Sequence, residues 1–320
     1  MPPAGRAAEH ELIARYLRPL ASADALSLAD DVGLLAGRAV TKDLIVCGVH
    51  YRADDPLDTV AQKAVRVNVS DIVAKGCRPE AALLGCVWPE DAGEGAVSRF
   101  AVGLSRDLTG YGLGLLGGDT TRAPGLEGPM ISVTMTGLPF GTAIVHRGGA
   151  RPGDTLLVGG PIGDAGLALD LFGGDRRLAP FAEALTEAYR RPAPPWHAAQ
   201  AIAAHARAGL DVSDGLLIDA GRLADASGLR AEIAEDAIPL SPAGRAYRAG
   251  GGRTARLATA GDDYVPLVAV PPDRVTVFLR ETAMAGTTFT RIGACVPGSG
   301  VALLDAMGRN VTPARLGYSH

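Results

Sequence analysis

A segment dense in turn-forming residues divides this sequence into two halves. It reads His146-Arg147-Gly148-Gly149-Ala150-Arg151-Pro152-Gly153-Asp154 and lies between two apolar stretches. Glycine, proline and aspartate concentrated in this way are typical of a loop or linker. With 320 residues the chain is long enough for two average domains. The sequence therefore predicts one domain over residues 1–145 and a second over residues 146–320.

Apolar periodicity predicts alternating strands and helices in both halves. The first half favours a helix over 9–20, strands near 39–46, 82–88, 113–116 and 130–138, and helices near 58–75 and 94–109. The second half favours strands at 155–158, 210–212, 230–234, 265–270 and 288–292, with helices within 164–208, 215–226 and 273–284. Such alternation is typical of α/β or α+β domains. We therefore expect a two-domain α/β (α+β) protein.

Composition excludes several classes of protein. The chain has 31 Lys and Arg against 35 Asp and Glu, so it lacks the basic excess with which proteins neutralise nucleic-acid phosphates. No apolar run approaches the ~18 residues that span a bilayer, and Met1-Pro2-Pro3 leads into no apolar signal region. The four cysteines have no zinc-site spacing and fit a reducing compartment. We expect a cytoplasmic protein without nucleic-acid or membrane partners.

Aspartates recur beside small or hydroxyl residues at the predicted ends of strands and helices. They are Asp30, Asp31, Asp43, Asp71, Asp119, Asp211, Asp214, Asp262 and Asp263. Caps and turns explain any single one of them, because aspartate is favoured at both. If they converge, two carboxylates ~4 Å apart repel by about 4 kcal/mol at a dielectric constant near 20, which bound cations would relieve. Oxygen ligands without thiolate or imidazole indicate Mg²⁺, an ion that commonly bridges substrate phosphates.

Three glycine-rich segments invite comparison with phosphate-binding loops. Leu116–Arg122 is predicted to end a strand, so that the backbone N–H groups near Gly117 and Gly118 would cradle phosphate beside Asp119. Gly112–Gly117 fits G-x-G-x-x-G, but a predicted helix precedes it and a strand occupies it, which excludes the dinucleotide fingerprint. Gly159–Asp164 favours a tight strand-to-helix turn, with phosphate contact as the alternative. A P-loop pattern is absent from the sequence.

Isolated polar side chains give weaker signals. Each has an ordinary structural explanation beside a functional one: solvation or capping for His50, Lys42 and Lys63, and helix N-capping for Ser70 and Ser213. The G-x-S-x-G elbow and a reactive-cysteine signature are both absent from the sequence. We therefore predict no covalent nucleophile, and, since the sequence has no obvious His–carboxylate pair, we predict no general base.

The order and spacing of these motifs resemble the thiamine-monophosphate kinases, members of the aminoimidazole-ribonucleotide-synthetase-like superfamily. The resemblance spans nearly the whole chain. It rests on Ala29-Asp30-Asp31, Thr41-Lys42-Asp43, Gly48-Val49-His50, Val67-Asn68-Val69-Ser70-Asp71, Gly117–Arg122, His146–Asp154, Asp211-Val212-Ser213-Asp214-Gly215, Gly261-Asp262-Asp263-Tyr264 and Gly317-Tyr318.

This resemblance implies a two-domain fold, an activity and a set of site residues. The activity is in-line transfer of the γ-phosphate of ATP to thiamine monophosphate in a homodimer, with the N-terminal sheets paired in a barrel and the C-terminal domain closing the cleft. The implied Mg²⁺ ligands are Asp30, Thr41, Lys42, Asp43, Asp71, Asp119, Asp211 and Asp214, with Thr41 and Lys42 contributing at most hydroxyl or backbone oxygens. The implied ATP contacts are Gly118, Asp119, Arg147 and Ser213, and the implied thiamine-phosphate contacts are His50, Asp262 and Tyr318.

The chain departs from the family pattern at four positions. Ala29 replaces a usual glycine, Lys42 a serine or threonine, Asp262 a glutamate, and Ser319 begins a different ending after the terminal tyrosine. Lys42 would either replace one Mg²⁺ charge or repel the ion. Two alternatives therefore stay open: a paralogue that phosphorylates a nucleoside or specialised metabolite, and a non-catalytic nucleotide-binding protein. A ligase-type relative is disfavoured because its Gly-rich, Lys-bearing N-terminal signature is missing.

Overall fold

The structure, a computed structural model, describes residues 9–318, and its first half contains a five-stranded sheet. Its strands are β1 (Gly33–Leu35), β2 (Arg38–Ile45), β3 (Cys77–Pro89), β4 (Gly114–Ala123) and β5 (Met130–Pro139). They lie in the order β1-β2-β5-β3-β4. All neighbours are antiparallel except β3 and β4, which are parallel. A helical crossover between β3 and β4 makes that parallel pair possible.

Two long helices complete this half of the molecule. Helices α2 (Leu57–Ala74) and α3 (Glu94–Tyr111) pack on each other, and α2 also packs on β2, β3 and β5. We call the face of the sheet that α2 covers the inner face, and the opposite one the outer face. Helix α2 also contacts β7 and β9 of the second half. It therefore lies between the two sheets with most of its side chains buried.

The second half contains a six-stranded sheet in the order β11-β8-β10-β6-β9-β7. Its strands are β6 (Thr155–Val158), β7 (Ala208–Asp211), β8 (Leu229–Ala234), β9 (Pro266–Val270), β10 (Thr290–Pro297) and β11 (Gly300–Leu304). Only β11 and β8 are parallel. Its helices are α4 (Asp164–Phe172), α5 (Ala182–Arg190), α6 (Ala199–His205), α7 (Leu216–Ala226), α8 (Pro242–Ala249), α9 (Thr254–Ala258) and α10 (Val275–Met284).

The buried apolar side chains form two clusters, and one of them crosses between the halves. It joins Ile72 of α2 and Met135 of β5 to Val268 of β9 and Phe278 of α10. The second cluster lies within the second half and includes Leu156 and Leu217. The predicted two-domain fold is confirmed, and its domains share a continuous packed interface. The boundary between 145 and 146 stays a prediction.

The predicted elements agree with most of the structure, and the differences have local causes. The predicted helix over 9–20 is α-helical only in α1 (Glu9–Leu12); it continues as a π-helical turn and then a 3₁₀ turn. The strand predicted at 113–116 extends to Ala123, so Gly117 and Gly118 lie within β4 rather than in a loop after it. A Cβ at Gly118 would lie 1.8 Å from the Leu84 carbonyl oxygen. This glycine therefore allows β3 and β4 to approach closely.

Among the described residues, no helix combines the length and apolar character needed to cross a bilayer. The strand that occupies the G-x-G-x-x-G match, with α3 before it, agrees with the exclusion of a dinucleotide-binding turn. Gly159–Asp164 joins β6 to α4, as the strand-to-helix turn predicts.

Candidate active site

A cavity of about 240 Å³ opens where β2 and α2 meet loops of the second domain. Side chains from distant parts of the sequence line it. Among them are Asp43, His50, Asp71, Asp211, Ser213, Asp214, Asp262, Tyr264 and Tyr318. Nine residues that lie within or after several separate helices and strands thus share one concave surface. Most of the residues that the resemblance implies as ligands or contacts are in this group.

Three carboxylates converge beside this cavity, and two of them, those of Asp71 and Asp211, lie in its wall. Asp31, just before β1, Asp71 on α2 and Asp211 at the end of β7 each offer an oxygen, and these oxygens lie within 4.8 Å of one another. The Thr41 hydroxyl donates to Asp71 Oδ2 over 2.5 Å. Asp43 lies against Asp71. We call Asp31, Asp43, Asp71 and Asp211 the acidic cluster.

Burial and mutual repulsion change the proton affinity of the acidic cluster. Burial raises the pKa of Asp71 and of Asp211 well above the usual range, and the neighbouring carboxylates raise both further. Burial and then the charge of Asp31 raise the pKa of Asp43 to about 6. A bound cation would favour the ionised carboxylates instead. An oxygen-only donor set of this kind fits a hard divalent cation such as Mg²⁺.

The two adjacent aspartates before β1 have different surroundings. Asp30 Oδ1 lies 2.5 Å from Lys75 Nζ, and Asp30 Oδ2 accepts a hydrogen bond from the Arg147 N–H over 3.0 Å. Asp31 contacts both Lys75 and the Arg147 guanidinium, and belongs to the acidic cluster. Burial would raise the pKa of Asp31, but these two cations outweigh it and the pKa falls. The implied ligand set contains Asp30 and omits Asp31, although the paired aspartates were a signal for both.

Lys42 and Asp119 lie on the other side of the first sheet. Strand pairing aligns Asp119 with Gly85, Gly85 with Ser132, and Ser132 with Leu44. Residues aligned in this way share a face, and Leu44 alternates with Asp43, so Asp119 points to the outer face. Three strand spacings also separate it from β2, roughly 14 Å.

The ammonium of Lys42 is held on the same outer face. It donates to the hydroxyls of Ser132 and Thr134 over 2.5 and 3.3 Å. The expectation that Lys42 replaces or repels a metal charge is therefore corrected, because its side chain points away from the acidic cluster. Within one chain, neither the Lys42 ammonium nor the Asp119 carboxylate joins the cluster.

A buried aspartate that the sequence analysis did not select organises the loop after β7. Asp219 Oδ2 accepts hydrogen bonds from the N–H groups of Ser213, Asp214 and Gly215 over 3.1, 3.0 and 3.1 Å. Arg222 pairs with both Asp214 and Asp219, over 2.6 and 2.8 Å. Burial and the charge of Asp214 raise the pKa of Asp219 to about 7 against the opposing effect of Arg222. Asp219 lies on α7, shortly after Asp214 in the sequence, and this short spacing was the signal from which its role could have been predicted.

The opposite end of the cavity is built around a buried lysine. Lys63 Nζ lies 2.5 Å from Asp262 Oδ2, donates to the His50 carbonyl oxygen over 3.0 Å, and lies 4.2 Å from the centre of the Tyr189 ring. Asp262 has a φ of 67°, a left-handed backbone conformation that is uncommon for residues other than glycine. Lys63 is therefore a fixed part of the wall rather than a solvated side chain. The main chain of Tyr318 is held by the loop after β7, since its N–H donates to the Asp214 carbonyl oxygen over 2.8 Å.

Comparison with known proteins identifies relatives along the whole chain. Residues 29–138 match the family model of the AIR synthase related protein N-terminal domain, and residues 151–305 match that of the C-terminal domain. Thiamine-monophosphate kinase of Caulobacter vibrioides is 40% identical over 333 residues, covering 100% of this chain and 92% of the relative. The protein of the same name from Escherichia coli K12 is 31% identical and covers 98% of both. The solved structure described as "AaThiL complexed with AMPPCP and TMP" has a TM-score of 0.83 and 31% identity, over 98% of this chain and 97% of that one.

Proposed function

This chain belongs to the thiamine-monophosphate kinase family, and we propose that it transfers the γ-phosphate of ATP to thiamine monophosphate. The observation that carries the proposal is the convergence of the Asp31, Asp71 and Asp211 carboxylates, of which Asp71 and Asp211 lie in the wall of the cavity. A relative of similar fold described with AMPPCP and TMP supports the same pair of substrates. In the reaction, the bond between the γ-phosphorus and ADP breaks while a phosphate oxygen of the acceptor bonds to that phosphorus.

The chemistry of the acceptor explains why the cavity needs no general base. The second pKa of a phosphate monoester is about 6, so thiamine monophosphate is largely a dianion at neutral pH. Its oxygen is ready to attack without losing a proton. The protein must instead bring two polyanions together in line and compensate their charges. An acidic cluster does so only through the cations that it holds.

We propose that Mg²⁺ binds at the acidic cluster. Asp31, Asp43, Asp71 and Asp211 would supply carboxylate oxygens, and Thr41 a hydroxyl or backbone oxygen. When bound, Mg²⁺ would neutralise and orient the phosphates. Asp30 would act indirectly, because it faces Lys75 and the main chain of Arg147. Asp214 would hold a further ion only if it exchanged Arg222 for that ion.

The two substrates would occupy opposite ends of the cavity. Ser213 and Arg147 flank the acidic cluster and are proposed to contact ATP, with Arg147 shared between the nucleotide and Asp31. His50, Asp262 and Tyr318 are proposed to contact thiamine monophosphate, Tyr318 by stacking on a ring. The paired Lys63 leaves Asp262 25% exposed. That residual exposure leaves the carboxylate accessible to a cationic or hydrogen-bonding acceptor.

We also propose that the protein is a homodimer formed through the outer face of the first sheet. Leu44 and Leu83 are 47% and 46% exposed there, on strands β2 and β3, whose other face packs on α2. Strand β4 is an edge of this sheet, and exposed edges favour pairing with another chain. Gly118 and Asp119 lie on β4, so their proposed role toward ATP and Mg²⁺ requires a second copy to bring them to a cavity.

An acceptor panel tests the activity. Purified protein with ATP and Mg²⁺ is given thiamine monophosphate, thiamine or a series of nucleosides, and ADP release is measured together with product identity by chromatography. We expect thiamine diphosphate from the monophosphate and no comparable turnover of hydroxyl acceptors. Preferred phosphorylation of a nucleoside would support the paralogue alternative, and ATP binding without turnover of any acceptor would support a non-catalytic protein. Asp273→Asn, at an exposed position, is a matched control for substitutions in the acidic cluster.

A further inference from the structure

A fully buried lysine lies beside the acidic cluster. Lys75 caps the C-terminus of α2 and is 0% exposed. Its ammonium lies 2.5 Å from Asp30 Oδ1, contacts Asp31 Oδ2, and donates to the Gly209 carbonyl oxygen over 2.7 Å. These partners come from both domains, since the aspartates precede β1 and Gly209 lies in β7. The ammonium is therefore fixed in a position where solvent has no access.

The Lys75 ammonium has the oxygen partners that a bound cation would have. A buried charge is tolerated only when it is paired, and Lys75 is paired with two carboxylates, one of which belongs to the acidic cluster. A divalent ion held between neighbouring carboxylates and a backbone carbonyl would have the same kinds of oxygen partners. Lys42 is another lysine close to these motifs in the sequence. Its ammonium lies on the outer face, so it cannot pair with these carboxylates.

We propose that Lys75 is a built-in cation that occupies a position beside Asp30 and Asp31 where a divalent ion would otherwise bind. The acidic cluster then takes up one divalent ion fewer than its carboxylates would allow. Unlike a bound ion, the ammonium is part of the chain and cannot dissociate. It therefore holds Asp31 in place for the remaining ion or ions. This inference rests on the proposed metal site at the acidic cluster and extends it to the number of ions bound.

Counting bound ions tests the inference without measuring activity. Mn²⁺ is used as the probe, because it prefers the same oxygen ligands and is detected directly. Equilibrium dialysis without nucleotide gives the number of ions bound per chain. We expect Lys75→Met to bind one Mn²⁺ more than the wild-type protein, and Lys75→Arg, which keeps the charge, to bind the wild-type number. Arg274→Met removes a positive charge at an exposed position away from the acidic cluster and is also expected to bind the wild-type number.

A double variant and a refolding step complete the experiment. The double variant Lys75→Met with Asp30→Asn lacks one carboxylate of the vacated position, and we expect its count to return to that of the wild-type protein. Dialysis starts from protein refolded in Mn²⁺, so a Lys75→Met chain that unfolds in chelator is still counted. An unchanged count in folded Lys75→Met would overturn the role of Lys75 and leave the metal site intact. A wild-type protein that binds no Mn²⁺ would overturn both.

Discussion

The Lys63 ammonium lies 2.5 Å from Asp262 Oδ2 and joins α2 of the first domain to a left-handed loop of the second. The same ammonium holds the His50 carbonyl oxygen and faces the Tyr189 ring. Three segments that line one end of the cavity are therefore positioned by a single cation. This makes Lys63 a positioning residue for the end of the cavity that we assign to the acceptor.

Replacing Lys63 by methionine should weaken acceptor binding selectively. The substitution keeps the buried chain but releases Asp262 and His50, so we expect the KM for thiamine monophosphate to rise, by about tenfold for each 1.4 kcal/mol lost. The KM for ATP should change little. Loss of hydrogen bonds to a charged group should lower the free energy of unfolding by about 1.5–3 kcal/mol. Steady-state kinetics with each substrate varied provide the test, with Arg274→Met, at an exposed position, as control; equal rises in both KM values would contradict a local role.

Replacing Asp71 by asparagine should separate activity from stability. The variant loses a proposed metal ligand, and we expect kcat to fall by about 10²–10³, the loss typical of removing one preorganised electrostatic group. In EDTA its melting temperature should equal or exceed that of the wild-type protein, because a buried carboxyl group that is costly to ionise beside other carboxylates is gone. Activity assays and thermal unfolding in EDTA measure the two effects. A large loss of stability in EDTA would show that Asp71 is chiefly structural.

The stability of the metal-free protein should decrease as pH rises from 5 to 7. The folded-state pKa of Asp43 is raised to about 6, above the ordinary aspartate value of about 3.9, so the folded protein binds this proton more tightly than the unfolded chain does. The stabilisation is present below the unfolded pKa and is lost as pH rises through the folded one. Raised pKa values of Asp71 and Asp211 act in the same direction. Asp43→Asn should flatten this dependence.

Mg²⁺ should reverse that pH dependence. Metal binding requires ionised carboxylates, so protons compete with the ion at low pH. We expect the rise in melting temperature on adding Mg²⁺ to be larger at pH 8 than at pH 5.5. Thermal unfolding with matched EDTA samples at each pH gives the comparison. A shift that is independent of pH would argue against binding at these carboxylates.

Truncating Asp219 should disturb the loop that carries Ser213 and Asp214. Asp219→Ala leaves three N–H groups without their shared acceptor, and hydrogen bonds to charged groups contribute about 1.5–3 kcal/mol each to stability. We expect a lower free energy of unfolding in urea and a higher KM for ATP. Asp219→Asn retains an acceptor oxygen and should keep more of both properties. If the asparagine and alanine variants behave alike, the hydrogen bonds from the three N–H groups to the Asp219 side chain do not position this loop.

The sequence was sufficient to predict much of the fold because the relevant signals are local. The apolar periodicity of α2 and the alternation along β2 lie within single elements, and both elements appear near their predicted bounds. Alternation alone also places Lys42 opposite Asp43, so the outward direction of Lys42 was available from the sequence.

The remaining features of the site depend on tertiary contacts. The face and position of Asp119 follow from the strand order β2-β5-β3-β4, which residue periodicity does not determine. The burial of Lys75 has no local signal, because its partners Asp30, Asp31 and Gly209 come from distant parts of the chain. The role of Asp219 likewise depends on the folded conformation of the loop after β7, which the sequence does not reveal.

Phosphorus NMR of ATP and thiamine monophosphate mixed with enzyme tests the central claim most directly, because it follows both products in one sample. We expect wild-type protein to form ADP and thiamine diphosphate with Mg²⁺ and not with EDTA. We expect Asp211→Asn to form them about 10²–10³ times more slowly, and Asp273→Asn to match wild type. Thiamine diphosphate formed by Asp211→Asn at the wild-type rate in limiting Mg²⁺ would contradict the claim that the acidic cluster holds the ions that catalysis requires.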